Sequence, residues 1–356
     1  MMKWMAAQRK QGEPGHLGSM LGTTCLAFLI WWPSITYSQE KTMPGLQHDA
    51  LSRSSVPIPP SERGLQTVEA EPYFRVSDQP LVLEGAVFDR RENLLFVDAA
   101  SGRVFRLSPR KQLEVIVPKN TLGASGLGIH KDGRIFITSV GDTRQGSIRA
   151  VDPDGSNMQT IIGEDRGFLA NDIVFDSSGG FYFTDSHGSS TDGGGGVFYA
   201  DPDLETVLPV MQGLAVGNGI ALSPSGGELW VTEHGKNTLH RVRLLGRTGV
   251  APFGSTVAYY FTGPAPDGAR VDSEGNVYVA ISGQGRVLVF NRNGLPIGQV
   301  VLPEREGGRN LKSTSLAIRP GSDELLIVAN SGNEPGGAMI FRSQGFATAL
   351  PLYSHQ

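Results

Sequence analysis

Six oxygen-bearing side chains recur at the start of six copies of one sequence pattern. In each copy this residue opens an apolar, strand-like run, which is followed by a polar turn and a second apolar run. The six residues comprise two carboxylates, two carboxamides and two hydroxyls: Glu84, Asp267, Asn171, Asn218, Ser125 and Thr314. Asn, Asp and Ser often precede strands for backbone reasons, so a single copy carries little weight. Six copies in register, with no apolar residue among them, predict a shared polar site.

A divalent cation accounts for this set of residue types. Two carboxylates that share a buried site repel each other, and burying them without a partner is costly. A cation removes that cost, and the carboxamides supply neutral oxygen ligands beside the carboxylates. Ligation by oxygen alone, without cysteine or a pair of histidines, favours Ca²⁺ first, Mg²⁺ or Mn²⁺ next, and disfavours zinc. Ca²⁺ is therefore the predicted cofactor.

The repeat also predicts the elements that bring these side chains together. Alternation, a tight turn and further alternation indicate a β-hairpin in each copy. Each second run contains one apolar anchor: Phe96, Phe136, Tyr182, Trp230, Tyr278 and Leu326. Subtraction of their numbers gives spacings of 40, 46, 48, 48 and 48 residues. A period of roughly 40–50 residues made of short strands is typical of a β-propeller with about four strands per blade. Six copies predict an all-β, six-bladed β-propeller with the metal ion in its central channel.

Propeller geometry places further residues near the ion. The first strand of each blade lines the channel, so the six opening residues form a ring at one mouth. The second strand returns to the same face, which brings His187 and His234 to the border of the ring. We expect these two histidines, together with Ser125 and Thr314, to contact substrate or carry protons. A solvated loop histidine is the alternative that stays open for both His187 and His234.

Composition excludes some classes of partner. The chain has 356 residues and 47 glycines, about twice the average glycine share, which suits a fold with many tight turns. Closed all-β folds of this length commonly form one domain. The formal net charge is −4 and no basic block stands out, which argues against a nucleic-acid partner. We expect a monomer that acts on a small molecule.

The N-terminus differs in composition from the rest of the chain. Basic residues precede an apolar segment from Leu21 to Ile35, and small residues at Thr36 and Ser38 offer a cleavage site. This layout predicts a signal peptide over residues 1–38 and a secreted or periplasmic protein without a membrane anchor after cleavage. A retained anchor is the alternative, although the apolar part is short for a span of roughly 20 residues. Residues 39–63 are predicted as a flexible linker and 64–356 as the propeller.

Two segments are too short to form blades of their own. The early segment Leu65–Val76 and the late segment Ala338–Phe346 each lack a complete set of strands. We expect one to complete the sheet of the other and close the ring, because closure removes exposed strand edges.

Several multi-blade phrases resemble one known family. LEGAVFD, NDIVFDSSGGFYFTDSHG, GNGIALSPSGGELWVTEHGKNTLHRV and PDGARVD are similar to the senescence-marker-protein/gluconolactonase family, and within it to the bacterial drug-responsive lactonases. The resemblance runs from about Gly64 to the C-terminus. It implies a six-bladed propeller with a catalytic Ca²⁺ in the channel and hydrolysis of lactones. Some relatives cleave phosphotriesters at a similar site.

The same resemblance implies roles for four residues of the ring. Glu84, Asn171 and Asn218 correspond to metal ligands, and Asp267 corresponds to both a ligand and the catalytic proton-transfer residue. It also makes a second, structural calcium possible around Gln145–Gly146 and Asp165–Phe168.

The predicted function is calcium-dependent hydrolysis of the ester bond of a small lactone. The metal would polarise the carbonyl, and Asp267 would either activate water or attack directly. Two alternatives stay open at this point. One is a phosphotriesterase-like hydrolase that uses the same metal, and the other is a binding propeller in which calcium is only structural.

Overall fold

The predicted all-β, six-bladed propeller is confirmed in the computed structural model, which describes residues 45–330 and 337–356. From His48 onward the described residues belong to one compact unit. Within them are six sheets, one of five strands and five of four strands, arranged as the blades of an all-β propeller. Consecutive strands within each blade are antiparallel, as hairpins require.

Two strands precede the first complete blade, and the others follow in chain order. The early strands are β1 (Gln66–Glu69) and β2 (Glu71–Ser77). Blade I contains β3 (Leu83–Phe88), β4 (Leu94–Asp98), β5 (Arg103–Leu107) and β6 (Leu113–Val117). Blade II contains β7 (Ala124–Ile129), β8 (Ile135–Ser139), β9 (Ser147–Val151) and β10 (Gln159–Ile162). Blade III contains β11 (Ala170–Phe175), β12 (Phe181–Asp185), β13 (Gly195–Ala200) and β14 (Val207–Leu214).

The remaining blades follow the same plan. Blade IV contains β15 (Gly217–Leu222), β16 (Glu228–Glu233), β17 (Thr238–Leu245) and β18 (Gly249–Tyr260). Blade V contains β19 (Pro266–Val271), β20 (Val277–Ile281), β21 (Arg286–Phe290) and β22 (Pro296–Val301). Blade VI contains β23 (Lys312–Ile318), β24 (Glu324–Asn330) and β25 (Ala338–Gln344). The described helices are α1 (Ala50–Arg53) and short 3-10 turns at Pro60–Glu62, Glu164–Arg166, His234–Lys236, Arg305–Gly307 and Tyr353–His355.

The early strands close the ring, as predicted. Strand β2 pairs antiparallel with β25 and supplies the fourth strand of blade VI. Strand β1 makes a second connection that the sequence did not predict, because it adds a parallel fifth strand to β22 of blade V. The two adjacent early strands therefore hold two neighbouring blades together.

Part of the predicted linker packs against the propeller. Glu62 is buried, forms an ion pair with the buried Arg286 of β21, and accepts a hydrogen bond of 2.6 Å from the Tyr259 hydroxyl. The Ser55 N–H donates to the carbonyl of Glu306 at 3.4 Å. Contacts with the propeller thus begin before residue 64, the predicted start of the domain. The predicted signal peptide lies outside the described residues. No helix among those that are described is long and apolar enough to cross a membrane.

Apolar side chains fill the spaces between neighbouring blades. Each of six buried clusters in the described ranges joins two adjacent blades, and one cluster joins blade VI to blade I. Five of the six predicted anchors pair across their hairpin with the fourth residue of the same copy, counted from the ring residue. Tyr278, for example, pairs with Arg270. In blade I, Leu95 holds this position, opposite Val87. The anchor assigned to Phe96 is therefore wrong by one residue, because an adjacent apolar residue imitates the repeat.

Candidate metal and catalytic site

The six predicted ring residues occupy equivalent places in the inner strands. Each is the second residue of its strand, except that Thr314 is the third of β23. The register with the neighbouring strand shifts next to this place in all six blades. Such a β-bulge redirects a side chain out of the regular alternation, and bulges are common beside active sites. The repeated bulge therefore gives the ring residues a shared orientation within their strands.

Close contact between neighbouring inner strands explains the small residue after most ring positions. A Cβ atom on Gly126 would lie 2.5 Å from the carbonyl oxygen of Asn171 in the next blade. A Cβ atom on Gly219 would lie 2.5 Å from the carbonyl oxygen of Asp267. Glycine at these positions lets neighbouring inner strands approach each other closely where they carry the ring residues. The ring side chains of neighbouring blades are therefore brought together.

Glu84, Asn218 and Asp267 lie together in a poorly solvated region of the channel. Asp267 is 5 % exposed and Asn218 is 8 % exposed. Burial raises the pKa of Asp267 from 3.8 to about 7, with Asp172 adding to the rise and hydrogen bonds from Asn218 and Ser282 opposing it. Burial also raises the pKa of Glu84 well above its usual range, and the charges of Asp267 and Asp172 raise it further. Two carboxylates therefore share a site where neither is easily ionised without a cation.

The donor set suits a hard cation. Carboxylate and carboxamide oxygens are the ligands that Ca²⁺ prefers, and a cation would relieve the repulsion between Glu84 and Asp267. In residues 45–330 and 337–356, no three His, Cys, Asp or Glu side chains are grouped as metal ligands. An ion at this place would therefore need amide oxygen in addition to the two carboxylates. Asn218, which hydrogen-bonds Asp267, is positioned to supply it.

Ser125 and Thr314 make contacts that hold the ring together. The Ser125 hydroxyl donates to the carbonyl of Asn171 at 2.8 Å and is 3.1 Å from that of Ala170. The Thr314 hydroxyl donates to the carbonyl of Leu83, immediately before Glu84. Each hydroxyl thus binds the backbone of the next blade beside a predicted ligand. Their predicted contact with substrate stays a prediction, whereas their role in joining blades is evident from the geometry.

The fourth predicted ligand, Asn171, is half-buried in β11. Its carbonyl oxygen accepts the hydroxyl hydrogen bonds of Ser125 and of Thr138 in blade II. These bonds fix the backbone of Asn171 at the ring, while its role as a ligand stays a prediction.

His187 and His234 follow the second strands of blades III and IV. His187 Nδ1 lies 2.7 Å from Asp185 Oδ1, and His234 Nδ1 lies 3.1 Å from the carbonyl oxygen of Pro266. A carbonyl only accepts, so His234 donates from Nδ1 and presents Nε2 as the acceptor nitrogen when neutral. Burial lowers the pKa of His234, which favours that neutral form. Pro266 directly precedes Asp267, so the His234 imidazole lies beside the end of β19 that carries the predicted catalytic acid.

Sequence reasoning missed an ion pair inside the channel. Arg270 of β19 is 2.8 Å from Asp172 of β11, and both side chains are largely buried. The repeat itself contained a signal for both residues. The residue directly after the ring residue is glycine in four of the six copies, and Asp172 is the charged exception. The fourth place is otherwise Val, Gly or Ala, and Arg270 is its charged exception.

The region of the possible second calcium is held by ordinary contacts. The Gly146 N–H donates to the carbonyl of Phe168 at 2.8 Å, and Arg149 pairs with the exposed Glu164 at 3.2 Å. These contacts neither require nor exclude an ion, and a second site stays a prediction.

A cavity of about 720 Å³ occupies the opposite half of the channel. Its wall is formed in large part by the far ends of the inner strands and by the C-terminal residues 349–353, 355 and 356. Apolar side chains dominate the inner-strand part of this wall, including Val87, Ile129, Ile173, Leu222 and Ile318. None of the four predicted ligands lines it. Arg270 does, so the ion pair with Asp172 lies between the polar ring and the apolar cavity.

Comparisons with known proteins identify the family of this chain. Residues 82–309 match the family described as SMP-30/Gluconolactonase/LRE-like region. The chain is 44% identical to Lactonase drp35 of Staphylococcus haemolyticus, over 89% of this chain and 99% of that protein. It is 45% identical to Lactonase drp35 of Staphylococcus saprophyticus, over 87% of this chain and 98% of that protein.

A solved structure supports the fold independently. The calcium-binding protein regucalcin of Agrobacterium tumefaciens superposes with a TM-score of 0.66 at 19% identity, covering 80% of this chain and 98% of that chain. At this identity the likeness concerns the fold alone. The family match and the two lactonase relatives, each aligned over most of its length, are decisive: this chain belongs to the SMP-30/gluconolactonase/LRE-like family.

Proposed function

We propose that this protein is a Ca²⁺-dependent lactonase whose active site is the polar ring of the channel. The observation that carries the proposal is the shared burial of Glu84 and Asp267, with Asn218 bound to Asp267. The relatives named lactonases supply the reaction class. The cavity in the opposite channel half is not the active site in this account, since it contains none of the ring carboxylates.

Four side chains would hold the ion, namely Glu84, Asn171, Asn218 and Asp267. A bound Ca²⁺ would supply Lewis-acid polarisation of the ester carbonyl. Its ligands come from four different blades, so the site forms only when the ring is closed. Ser125 and Thr314 support this closure by binding the backbone beside Asn171 and Glu84.

Asp267 carries the proton in the proposed reaction. Its carboxylate takes a proton from the attacking water as the water oxygen bonds to the carbonyl carbon of the lactone. The ring C–O bond then breaks, and Asp267 returns the proton to the leaving alkoxide oxygen. The product is an open hydroxy acid, which ionises in water. Burial raises the pKa of Asp267 in the metal-free protein, and a bound cation would lower it again, so Asp267 would begin the reaction as a carboxylate.

The two histidines bind substrate in this proposal. His234 presents its acceptor nitrogen beside the strand end of Asp267, where it can accept a hydrogen bond from a substrate hydroxyl. In the neighbouring blade III, His187 follows β12 by two residues and its Nδ1 lies 2.7 Å from Asp185 Oδ1, which orients the imidazole. Their loops are joined through Val216, whose N–H donates to the carbonyl of His187 and whose carbonyl accepts from the N–H of His234.

A lactone panel tests the proposal directly. Purified protein is depleted of metal with a chelator and assayed on lactones of different ring size, with and without added Ca²⁺, beside a phosphotriester. We expect hydrolysis of at least one lactone that disappears with the metal and returns on addition of Ca²⁺. Hydrolysis of the phosphotriester alone would reassign the reaction. No hydrolysis of any substrate would leave a binding propeller as the better account.

A further inference from the structure

The ion pair between Asp172 and Arg270 contacts inner strands of four blades. Arg270 Nη1 donates to Asp172 Oδ2 at 2.8 Å, which links β19 to β11. The Ile220 N–H of β15 donates to the same Oδ2 at 3.2 Å. Arg270 Nη2 donates to the carbonyl of Ala86 in β3 at 3.3 Å. Blades I, III and V are not neighbours in the ring, so the bonds that join them cross the channel.

These four strands are the ones that carry the proposed metal ligands. Ala86 lies two residues after Glu84, Asp172 one after Asn171, Ile220 two after Asn218 and Arg270 three after Asp267. We propose that Asp172 and Arg270 are positioning residues, which set the spacing of the four ligand-bearing strands without binding the ion themselves. The inference rests on the proposed function, because it presupposes a cation at the ring.

The chemistry of arginine suits this task. A guanidinium group has donors fixed in one plane and pointing in different directions, so it can bind a carboxylate and separate carbonyls at once. Nη1 also donates to the Ala269 carbonyl at 2.7 Å, which fixes the side chain against its own strand. The side chains of Arg270 and Asp172 are only 17% and 7% exposed, so water competes little for these bonds. A lysine ammonium is a single point of charge and cannot replace this fork.

The Asp172–Arg270 pair could influence Ca²⁺ binding through its charges or through the positions of the strands. These two explanations predict opposite changes in Ca²⁺ affinity when Arg270 is replaced by a neutral residue. If the pair acted only through its electric field, removal of the Arg270 charge would leave Asp172 as an extra negative charge near the ring. Ca²⁺ would then bind more tightly to Arg270→Gln than to the unaltered protein. If the pair acts by positioning, the same change releases β3 and β19 from β11, and Ca²⁺ binds more weakly despite the more negative site.

Calorimetric titration of the metal-free full-length protein with Ca²⁺ separates these accounts. We expect Arg270→Gln and Asp172→Asn each to weaken binding at least tenfold. The double variant should have a Ca²⁺ affinity no lower than that of the single variant with the lower affinity, because either single change already breaks the ion pair. Arg241→Gln is the matched control, since Arg241 pairs with Glu228 at 2.7 Å within one blade. It should change the melting temperature at most, with Ca²⁺ affinity unaltered.

Each outcome decides the inference. Equal or tighter Ca²⁺ binding by Arg270→Gln would overturn it, and so would an equal loss of affinity in Arg241→Gln. If Arg270→Gln does not fold, Arg270→Lys keeps the charge and provides the test: weakened binding supports positioning, and unchanged affinity contradicts it. A failure of the unaltered protein to bind Ca²⁺ overturns the metal proposal itself, and the inference with it, so the two failures are distinguishable.

Discussion

The two halves of the central channel are built from the same six strands but differ in chemistry. The ring half contains carboxylates, carboxamides and hydroxyls, whereas the opposite half is a largely apolar cavity of about 720 Å³. The Asp172–Arg270 pair lies between them. If the ring is the active site, as proposed, the apolar cavity is not where the reaction takes place. The four side chains that would hold the cation do not line the cavity.

The largest expected effect is loss of turnover when the proton carrier is removed. Asp267→Asn keeps the shape of the side chain but cannot accept the proton of water, so kcat should fall by about 10³-fold. Lactone turnover at saturating Ca²⁺ measures it, and circular dichroism checks the fold. The matched change in the cavity half is Leu222→Met, which should keep kcat within about twofold because its volume is conserved. Wild-type kcat in Asp267→Asn would contradict the assignment of the ring as the active site.

The next effect is on affinity for the ion. Glu84→Gln replaces a charged ligand by a neutral one of the same shape and should weaken Ca²⁺ binding by about 100-fold, about 2.8 kcal/mol. It should also raise the stability of the metal-free protein, because the repulsion between Glu84 and Asp267 disappears. Calorimetry and thermal melting measure the two quantities on the same samples. A variant with unchanged affinity would remove Glu84 from the set of ligands.

A smaller effect is expected when the pH is changed. The stability of the metal-free protein and its affinity for Ca²⁺ should respond to pH in opposite directions. The pKa of Asp267 is about 7 in the folded protein against 3.8 as its ordinary value, so the folded state binds more protons between these limits. The free energy of unfolding should therefore fall as the pH rises from about 4 to about 7, then level off. Ca²⁺ needs the ionised carboxylate, so its affinity should fall as the pH drops below about 7. Chemical denaturation and Ca²⁺ titration across this range test both slopes, and a rise of metal-free stability with pH would contradict the buried ring.

The smallest effect on activity is expected in the cavity half. The Tyr353 ring stacks on Phe175 with centroids 5.7 Å apart and meets His130 at 5.1 Å, which holds the C-terminal segment against the channel. Tyr353→Ala should cost about 1–3 kcal/mol of stability and leave kcat within about twofold. Phe253→Ala is the control, because Phe253 is fully exposed. A large loss of kcat in Tyr353→Ala would mean that the two halves are coupled more tightly than proposed.

The sequence predicted the blades because the fold repeats. Each copy carried its own alternation and turn, and closure through β2 and β25 followed from two incomplete segments. The parallel pairing of β1 with β22 was not predictable, because no local pattern specifies which edge a short strand will join. The contact of Glu62 with Arg286 was missed for a similar reason, since its partners are 224 residues apart along the chain.

The candidate site was predictable in part. Glu84, Asn218 and Asp267 came from the register of the copies, and the structure brings these three together. The hydroxyl bonds of Ser125 and Thr314 to the next blade could not be predicted, because they depend on how closely adjacent strands approach. Asp172 and Arg270 were visible as charged exceptions in the repeat. Only the closed ring reveals that they face each other.

The most direct test is a Ca²⁺ titration in which binding and lactone turnover are measured on the same chelator-treated protein. We expect no turnover without metal and a rise of turnover in proportion to occupancy of the ring site, with Asp267→Asn binding Ca²⁺ weakly and turning over lactone about 10³-fold more slowly. Full turnover by the metal-free protein, or saturation of the ring with Ca²⁺ without any gain in turnover, would contradict it.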